Sequence, residues 1–359
     1  MYAGKKKKGF MMETINIGFT VTDNYAQHLA ATMSSILSNT SKDTKFNFYV
    51  MNEGDITFET KRRISLLKNI HDFNIKYITV KKEDFREYSP GVHMSTNYRL
   101  KVASLIPEAD KILFLDVDLI VLDDIANLWN TDISDYYMAA VPDPCQIYQF
   151  QVVRSKFIDK FPTLMYNTGV ILLNLKKWRE DDIEEKLLHG IKWFSANYDQ
   201  CWPDQSTLNM VLKDKIKQLD GRWNACPLLG YIQQPPGAYD SIEQRDLIFA
   251  NPAIIHYAAD QKYKAWLDSS LPWADVYWEY LRKTPYYETG ILNMVKNTYK
   301  YELSDIHGSL GLLKQQNVIN FKYKKYRVLK NLTFGKTAKR YREKCSRFRA
   351  LVNEIQAIS

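Results

Sequence analysis

The stretch Lys111-Ile-Leu-Phe-Leu-Asp116-Val-Asp118-Leu-Ile-Val-Leu122 limits what this chain can fold into more than any other part of it. An apolar run of this length bounded by charge reads as a fully buried parallel strand, the kind found in sheets covered by helices on both faces. Asp116 and Asp118 interrupt the run. Side chains two apart on an extended chain share a face, so both carboxylates can reach one object. Like charges held that close repel unless a cation lies between them, and a divalent metal is the ordinary solution. On these residues alone, a strand end carrying two solvated or capping acids is the alternative.

The flanking sequence supplies the rest of such a sheet. Thr14 to Val21 alternates and is rich in β-formers, a first strand. Thr22-Asp23-Asn24 then offers turn and capping chemistry before a helix with Tyr25, Leu29, Met33, Ile36 and Leu37 on one face. Lys45 to Met51 reads as a strand, Glu59 to Ile70 as a helix, Ile75 to Val80 as a strand and Thr96 to Leu105 as a helix. This alternation implies a mainly parallel α/β sheet with right-handed connections, in which ligands bind at the carboxyl ends of strands. Further on, Tyr137 to Val141 and Tyr166 to Asn174 read as strands, with a helix over Val152 to Phe161. A long helix runs from Leu175 toward Ser195, a short one opens at Asp204, and Ala253 to Tyr257 is a late short strand.

Composition narrows the class. With 359 residues, 45% apolar and 25% charged, the chain reads as an ordinary globular protein with a large core. No run approaches 18 apolar residues, and Met1 to Phe10, with Lys5 to Lys8, lacks the apolar stretch of a signal peptide. Cys145, Cys201, Cys226 and Cys345 form no CxxC pair, so neither a zinc site nor a disulfide framework is expected and the chain reads as cytoplasmic. Between Phe321 and Arg349 stand twelve Lys or Arg against the single acid Glu343. With +8 for the whole chain, the body is then slightly acidic and the basicity belongs to a tail. Tyr341, Cys345, Phe348, Val352 and Ile355 form one apolar stripe on a helix there. Such a helix either packs on the body or lies on an anionic membrane surface, and the interleaved Phe321, Tyr323 and Tyr326 favour the membrane. The expected organisation is a loose basic extension (1–13), a catalytic α/β domain (14–272) and a helical, aromatic and basic region (273–359).

Five motifs then occur in order. They are Leu113-Phe-Leu-Asp116-Val-Asp118; Leu128-Trp129 with Thr131-Asp132; Tyr166-Asn167-Thr-Gly169 through Trp178-Arg179; Asp204-Gln205-x-x-Leu208-Asn209; and His256-Tyr257 with Lys264-Ala-Trp266. Together, over Ile15 to Trp266, they resemble the family 8 glycosyltransferases, especially those that build bacterial lipopolysaccharide. The resemblance implies a GT-A fold, a UDP-sugar donor, Mn²⁺ (with Mg²⁺ as the alternative) and transfer with retention of anomeric configuration. It implies a glycan or glycolipid acceptor, and the basic, aromatic tail would hold the protein at the inner face of the cytoplasmic membrane.

Matched residue by residue, the resemblance makes Asp116, Asp118 and His256 the metal ligands. Two carboxylates and an imidazole leave positions for diphosphate oxygens and suit Mn²⁺. On its own, a histidine in an apolar strand is more often a satisfied core residue. Thr20, Val21, Asn24, Tyr25 and Val117 would line the nucleotide pocket, where Tyr25 could stack on the base. Arg99 would lie near the donor sugar and phosphate. Asp143, Asn167, Asp204 and Gln205 would hold sugar hydroxyls and flank the anomeric carbon, and Lys264 would offset charge on departing UDP. Without the resemblance, Asn24 and Asp204-Gln205 read as helix caps and Arg99 as a surface arginine. His93 is a further acceptor-side candidate. Thr22 stands where the family often has a base-recognising acid, and the loop 258–265 lacks the family's Gly and Pro while adding Lys262 as a second cation.

Two other classes compete. An aspartyl-phosphate phosphatase would use Asp116 as nucleophile and Asp118 as acid/base, but its signature wants Thr or Val where this chain has Ile120. A nucleotide-sugar-binding or nucleic-acid-binding protein without transferase activity could use the basic tail, yet the slightly acidic body argues against a nucleic-acid face.

Overall fold

The computed structural model describes residues 14–81, 83, 85, 94–143, 158–197, 203–227, 241–258 and 264–295. The basic extension 1–13, His93, most of the helix expected over 152–161, Lys262 and the basic tail lie outside the described residues. The chain divides after His256 into two compact units, each described by itself.

In the first unit, β1 (Thr14–Thr20), α1 (Ala26–Asn39), β2 (Lys45–Asn52), α2 (Phe58–Ser65) and β3 (Asn74–Thr79) follow in the expected rhythm. The short α3 (Val102–Leu105) leads to β4 (Lys111–Leu115) and β5 (Leu119–Val121), then α4 (Ile125–Trp129), β6 (Met138–Pro142) and β7 (Tyr166–Asn174). After these come α5 (Leu175–Glu180), α6 (Ile183–Asn197), α7 (Pro203–Leu212), β8 (Ile216–Gln218), α8 (Ile242–Ala250) and β9 (Ile254–His256). Local chemistry marks several helix starts: Thr57, Asp124, Asn174 and Ser241 each accept a first-turn N–H at the head of α2, α4, α5 and α8. Seven strands form one sheet in the order β3-β2-β1-β4-β7-β6-β8. All run parallel except β7, which lies antiparallel between β4 and β6. The sheet is therefore mainly parallel, with the reversed strand next to its central strand β4.

The run Lys111 to Leu122 is not one strand. It leaves the main sheet after Leu115, turns through Asp116-Val-Asp118, and pairs as β5 with β9 in a second, two-stranded sheet. The apolar pattern does not reveal this, because both halves are buried and only the pairing partner changes. On its other side β5 meets no strand among the described residues; α1 replaces one. Thr32 Oγ1 donates between the Val117 carbonyl (3.0 Å) and the Leu119 carbonyl (2.8 Å). Val121 N donates to Ser35 Oγ at 2.9 Å, and Asn39 Nδ2 donates to the Val121 carbonyl at 2.8 Å. Thr32, Ser35 and Asn39 recur at helical spacing, so one polar stripe on α1 serves as a surrogate edge for β5. Buried backbone groups must find partners, and here hydroxyls and an amide supply them.

Two helices also differ from expectation. The long helix expected from Leu175 breaks into α5 and α6 at Asp181-Asp182, where Asp182 has a φ of 49°, a left-handed conformation that stops a helix. Much of the segment before β4 winds as a 3-10 helix (Met94–Lys101) rather than an α-helix. Cys226 is buried.

The described part of the second unit centres on an aromatic cluster around α9 (Ala274–Arg282). Tyr257 and Tyr277 pack edge to face at 6.1 Å, and Trp266 lies 5.2 Å from Tyr277. Tyr257 Oη donates to the Trp273 carbonyl at 2.7 Å, so the strand exit and the helix start are tied together. Among the described residues no helix is long and apolar enough to cross a membrane.

The surrogate edge has a measurable cost of removal. Thr32→Val keeps the shape of the side chain but takes the donor from two carbonyls, and should lower the unfolding free energy by about 1–3 kcal/mol. Urea denaturation should show a lower midpoint at unchanged slope; an unchanged midpoint would contradict the edge role assigned to α1.

Candidate active site

The turn between β4 and β5 lies at the carboxyl edge of the parallel strands. Ile17 and Gly18 of β1 pair with Leu113 and Phe114 of β4, so two residues further Thr20 comes level with Asp116. On the other side Asp116 N donates to the Gly169 carbonyl of β7 at 2.8 Å. The pairing of Leu119 with His256 in the second sheet carries the imidazole up to the same turn. Three separate backbone registers therefore bring Asp116, Asp118 and His256 together, although His256 follows the others by about 140 residues in sequence.

His256 Nε2 lies 3.2 Å from Asp118 Oδ1 and 3.7 Å from Asp116 Oδ2. One ligand atom from each of the three residues lies within 4.8 Å of the others. Two oxygens next to each other on an octahedral ion, each at about 2.1 Å, are about 3 Å apart, so these spacings fit one small divalent cation. Gly169 keeps the space open. A Cβ there would stand 2.2 Å from His256 Cε1 and 2.7 Å from Asp116 Oδ2.

Arg99 anchors the other side of Asp116. Its guanidinium is buried, with Nη2 2.6 Å from Asp116 Oδ1 and Nε 3.4 Å from Asp204 Oδ2. It also donates to the carbonyls of Thr168 and Thr96 and covers the Phe114 ring. Burial alone would lower the arginine pKa, but the Asp116 and Asp204 carboxylates outweigh it and hold the proton more firmly. Asp204 is also buried. Desolvation pushes its carboxyl up and Asp116 adds to the rise, while Arg99 pulls it back only in part. Carboxylates outnumber the one guanidinium here, so the site carries an excess of acidic groups that a cation would offset.

Behind the metal-ready residues runs a buried polar chain. Asn167 Nδ2 donates to Asp143 Oδ2 at 2.8 Å, and Gln205 Nε2 donates to the same oxygen at 3.2 Å. Gln205 Oε1 accepts from Thr168 N at 3.0 Å and from Thr168 Oγ1 at 3.3 Å. Thus Asp143 just past β6, Asn167 on β7 and Gln205 on α7 meet in one network, while Asp204, next to Gln205, pairs with Arg99. Near the end of β1, Val21 is buried, Val117 almost so, Tyr25 half-buried and Asn24 exposed. The hydroxyl of Thr20 is buried and meets no hydrogen-bond partner among the described residues. An unpaired buried hydroxyl at that edge is what a ligand atom would satisfy. Lys264 belongs to the second unit, where Nζ donates to the Tyr257 carbonyl at 2.8 Å.

Sequence reasoning missed Asn224, whose Oδ1 lies 2.8 Å from His256 Nδ1. A single asparagine in Gly221-Arg-Trp-Asn224 carries no periodic signal. It also missed why position 169 must be glycine, though a glycine within a fully apolar strand signals close approach by another group. Gly169→Ala should abolish divalent-cation binding, read as loss of the bound-Mn²⁺ change in the electron paramagnetic resonance spectrum, and overpacking should cost about 1–3 kcal/mol of stability. Unchanged Mn²⁺ binding by this variant would contradict the geometry.

Comparison with known proteins agrees with this arrangement. Residues 16–270 match the model for glycosyl transferase family 8. The chain is 26% identical to general stress protein A of Bacillus subtilis over 283 residues, 77% of this chain and 96% of that protein. It is 28% identical to glycosyltransferase GlyF of Streptococcus pneumoniae over 66% of this chain, which spans 54% of that larger relative. Among solved structures it is similar to the galactosyltransferase LgtC in complex with donor and acceptor sugar analogs, at 27% identity and a TM-score of 0.63, covering 76% of this chain and 96% of LgtC. The GT-A sheet, the ordered motifs and the extent of the family match lead to one conclusion: this chain belongs to glycosyl transferase family 8.

Proposed function

We propose that the protein is a retaining transferase that moves a hexose, galactose or glucose, from a UDP-sugar to a hydroxyl of a lipopolysaccharide, capsule or other glycan acceptor. The observation that carries this reading is the convergence of Asp116, Asp118 and His256 beside the end of β1. The similarity to LgtC, a galactosyltransferase, supports the choice of donor class.

Asp116, Asp118 and His256 would hold Mn²⁺, which supplies a Lewis-acid contact to the donor diphosphate as charge develops there. Arg99 keeps Asp116 turned toward the site by a 2.6 Å ion pair. Thr20, Val21, Asn24, Tyr25 and Val117 form the nucleotide end, where the Tyr25 ring, packed 5.0 Å from His28, would stack on a flat base. Asp143, Asn167, Asp204 and Gln205 fix sugar hydroxyls, and Lys264 offsets charge on departing UDP.

Retention follows most simply from front-face attack. The acceptor oxygen bonds to the anomeric carbon on the face from which the phosphate oxygen departs, and the hydroxyl proton leaves with the diphosphate. A double displacement would need a nucleophile beneath the sugar. Gln205 is a poor one, since its carbonyl oxygen already accepts two hydrogen bonds from Thr168. Attachment to the inner face of the cytoplasmic membrane rests on the basic and aromatic pattern of 321–359. Liposomes of anionic lipid should bind the full chain and release a form lacking 321–359.

The test is a donor panel. UDP release is expected from UDP-galactose or UDP-glucose with Mn²⁺, and a chelator should abolish it. Asp118→Ala should lower turnover by at least about 100-fold. Chelator-insensitive turnover would overturn the metal assignment, and consumption of a GDP- or dTDP-sugar alone would overturn the uridine assignment.

A further inference from the structure

The hydrogen bonds behind His256 have a direction, and a backbone group sets it. Gly169 N donates to Asn167 Oδ1 at 2.9 Å. A backbone N–H can only donate, so the oxygen of the Asn167 amide must face it. The Asn167 NH₂ group then faces Asp143 Oδ2 at 2.8 Å, where a carboxylate accepts it. Asn224 approaches the same Asn167 oxygen at 2.8 Å, and a second oxygen there would find no hydrogen between them. The NH₂ of Asn224 therefore points at Asn167. Its oxygen is left facing His256 Nδ1 at 2.8 Å.

In the neutral imidazole, an acceptor opposite Nδ1 requires the single ring proton to sit on Nδ1. Nε2 then carries the lone pair, and Nε2 is the nitrogen 3.2 Å from Asp118 Oδ1. Flipping either amide would set donor against donor or acceptor against acceptor, so the sequence of bonds permits one arrangement. Burial protects that arrangement, because Asn224 and His256 are only 4% and 3% exposed and water competes little for these bonds. The backbone adds a second restraint. Ala225 N donates to the Ile254 carbonyl and His256 N donates to the Ala225 carbonyl, both at 2.8 Å, which fixes the two residues side by side.

We infer that Asn224 is a positioning residue that locks His256 in the Nδ1–H tautomer and so presents Nε2 as the donor to the divalent cation. The inference rests on the metal site proposed above. A neutral imidazole binds a metal through whichever nitrogen lacks the proton, and the partner of the other nitrogen decides which one that is. Asn167 extends the restraint, since its oxygen orients Asn224 while its NH₂ group holds Asp143. The metal side and the sugar side of the site thereby share one rigid amide.

The test uses the full-length protein labelled with ¹⁵N-histidine, with the His256 signals identified by their loss in His256→Gln. Long-range ¹H–¹⁵N correlation of metal-free wild type, at a pH high enough to keep the imidazole neutral, should show His256 as the Nδ1–H tautomer. Asn224→Leu, close in volume but without an acceptor, should lose that fixed tautomer and bind Mn²⁺ about 10–100-fold more weakly. Asn224→Asp restores the acceptor opposite Nδ1 but loses the NH₂ that faces Asn167, and should recover the Nδ1–H tautomer and bind Mn²⁺ more tightly than Asn224→Leu. Circular dichroism confirms that each variant is folded, and the wild-type tautomer decides the question even if Asn224→Leu does not fold. Wild type that binds Mn²⁺ but shows His256 as Nε2–H when metal-free overturns the role of Asn224, as does a folded Asn224→Leu protein with wild-type affinity; both leave the metal site standing. Wild type that binds no Mn²⁺ overturns the metal site itself.

Discussion

Repulsion among the carboxylates of Asp116, Asp118 and Asp204 is the constraint around which the carboxyl edge of the sheet is built. Burying such charges is expensive unless each finds a partner. Arg99 answers part of that demand, bridging Asp116 and Asp204 from a buried position. His256, delivered by the second sheet, sets Nε2 3.2 Å from Asp118 Oδ1, so that both would face one cation. The charge that remains would suit the site to a divalent ion and, through it, to the diphosphate of the proposed donor.

The architecture turns that constraint into geometry. Parallel pairing of β1 with β4 sets Thr20 level with Asp116, and antiparallel pairing of β4 with β7 sets Gly169 on the other side. Breaking the chain at Asp116-Val-Asp118 lets β5 find β9, and that pairing delivers His256. A continuous strand would have carried Leu119 to Val121 on along the main sheet, away from β9. The buried hydroxyls of Thr32 and Ser35 make the break tolerable, because they satisfy backbone groups that a neighbouring strand would otherwise satisfy.

Much of this was legible in the sequence, for physical reasons that differ by element. Tyr166–Asn174 is a strand with the bounds its apolar run suggested, since burial on both faces leaves an uninterrupted signal. The pair Asp116 and Asp118 stood out because acids inside an apolar run need an explanation. His256 did not stand out by itself; only its order relative to the other motifs brought it to the site. The break after Leu115 was hidden because the pattern of burial is the same on both sides of it. The polar stripe of α1 was legible in principle, as Thr32, Ser35 and Asn39 recur at helical spacing within a helix otherwise read for its apolar face. Asn224 and the reversed direction of β7 depend on contacts distant in sequence, and no local pattern encodes them.

The central claim is that the broken strand, the reversed strand and the late histidine together form one cation site. Anomalous X-ray diffraction from crystals of the full chain grown with Mn²⁺ and UDP tests it most directly. The account predicts one strong manganese peak within bonding distance of Asp116, Asp118 and His256 Nε2, adjoining the UDP diphosphate. UDP bound with no manganese peak there, or with manganese bound away from His256, would contradict it.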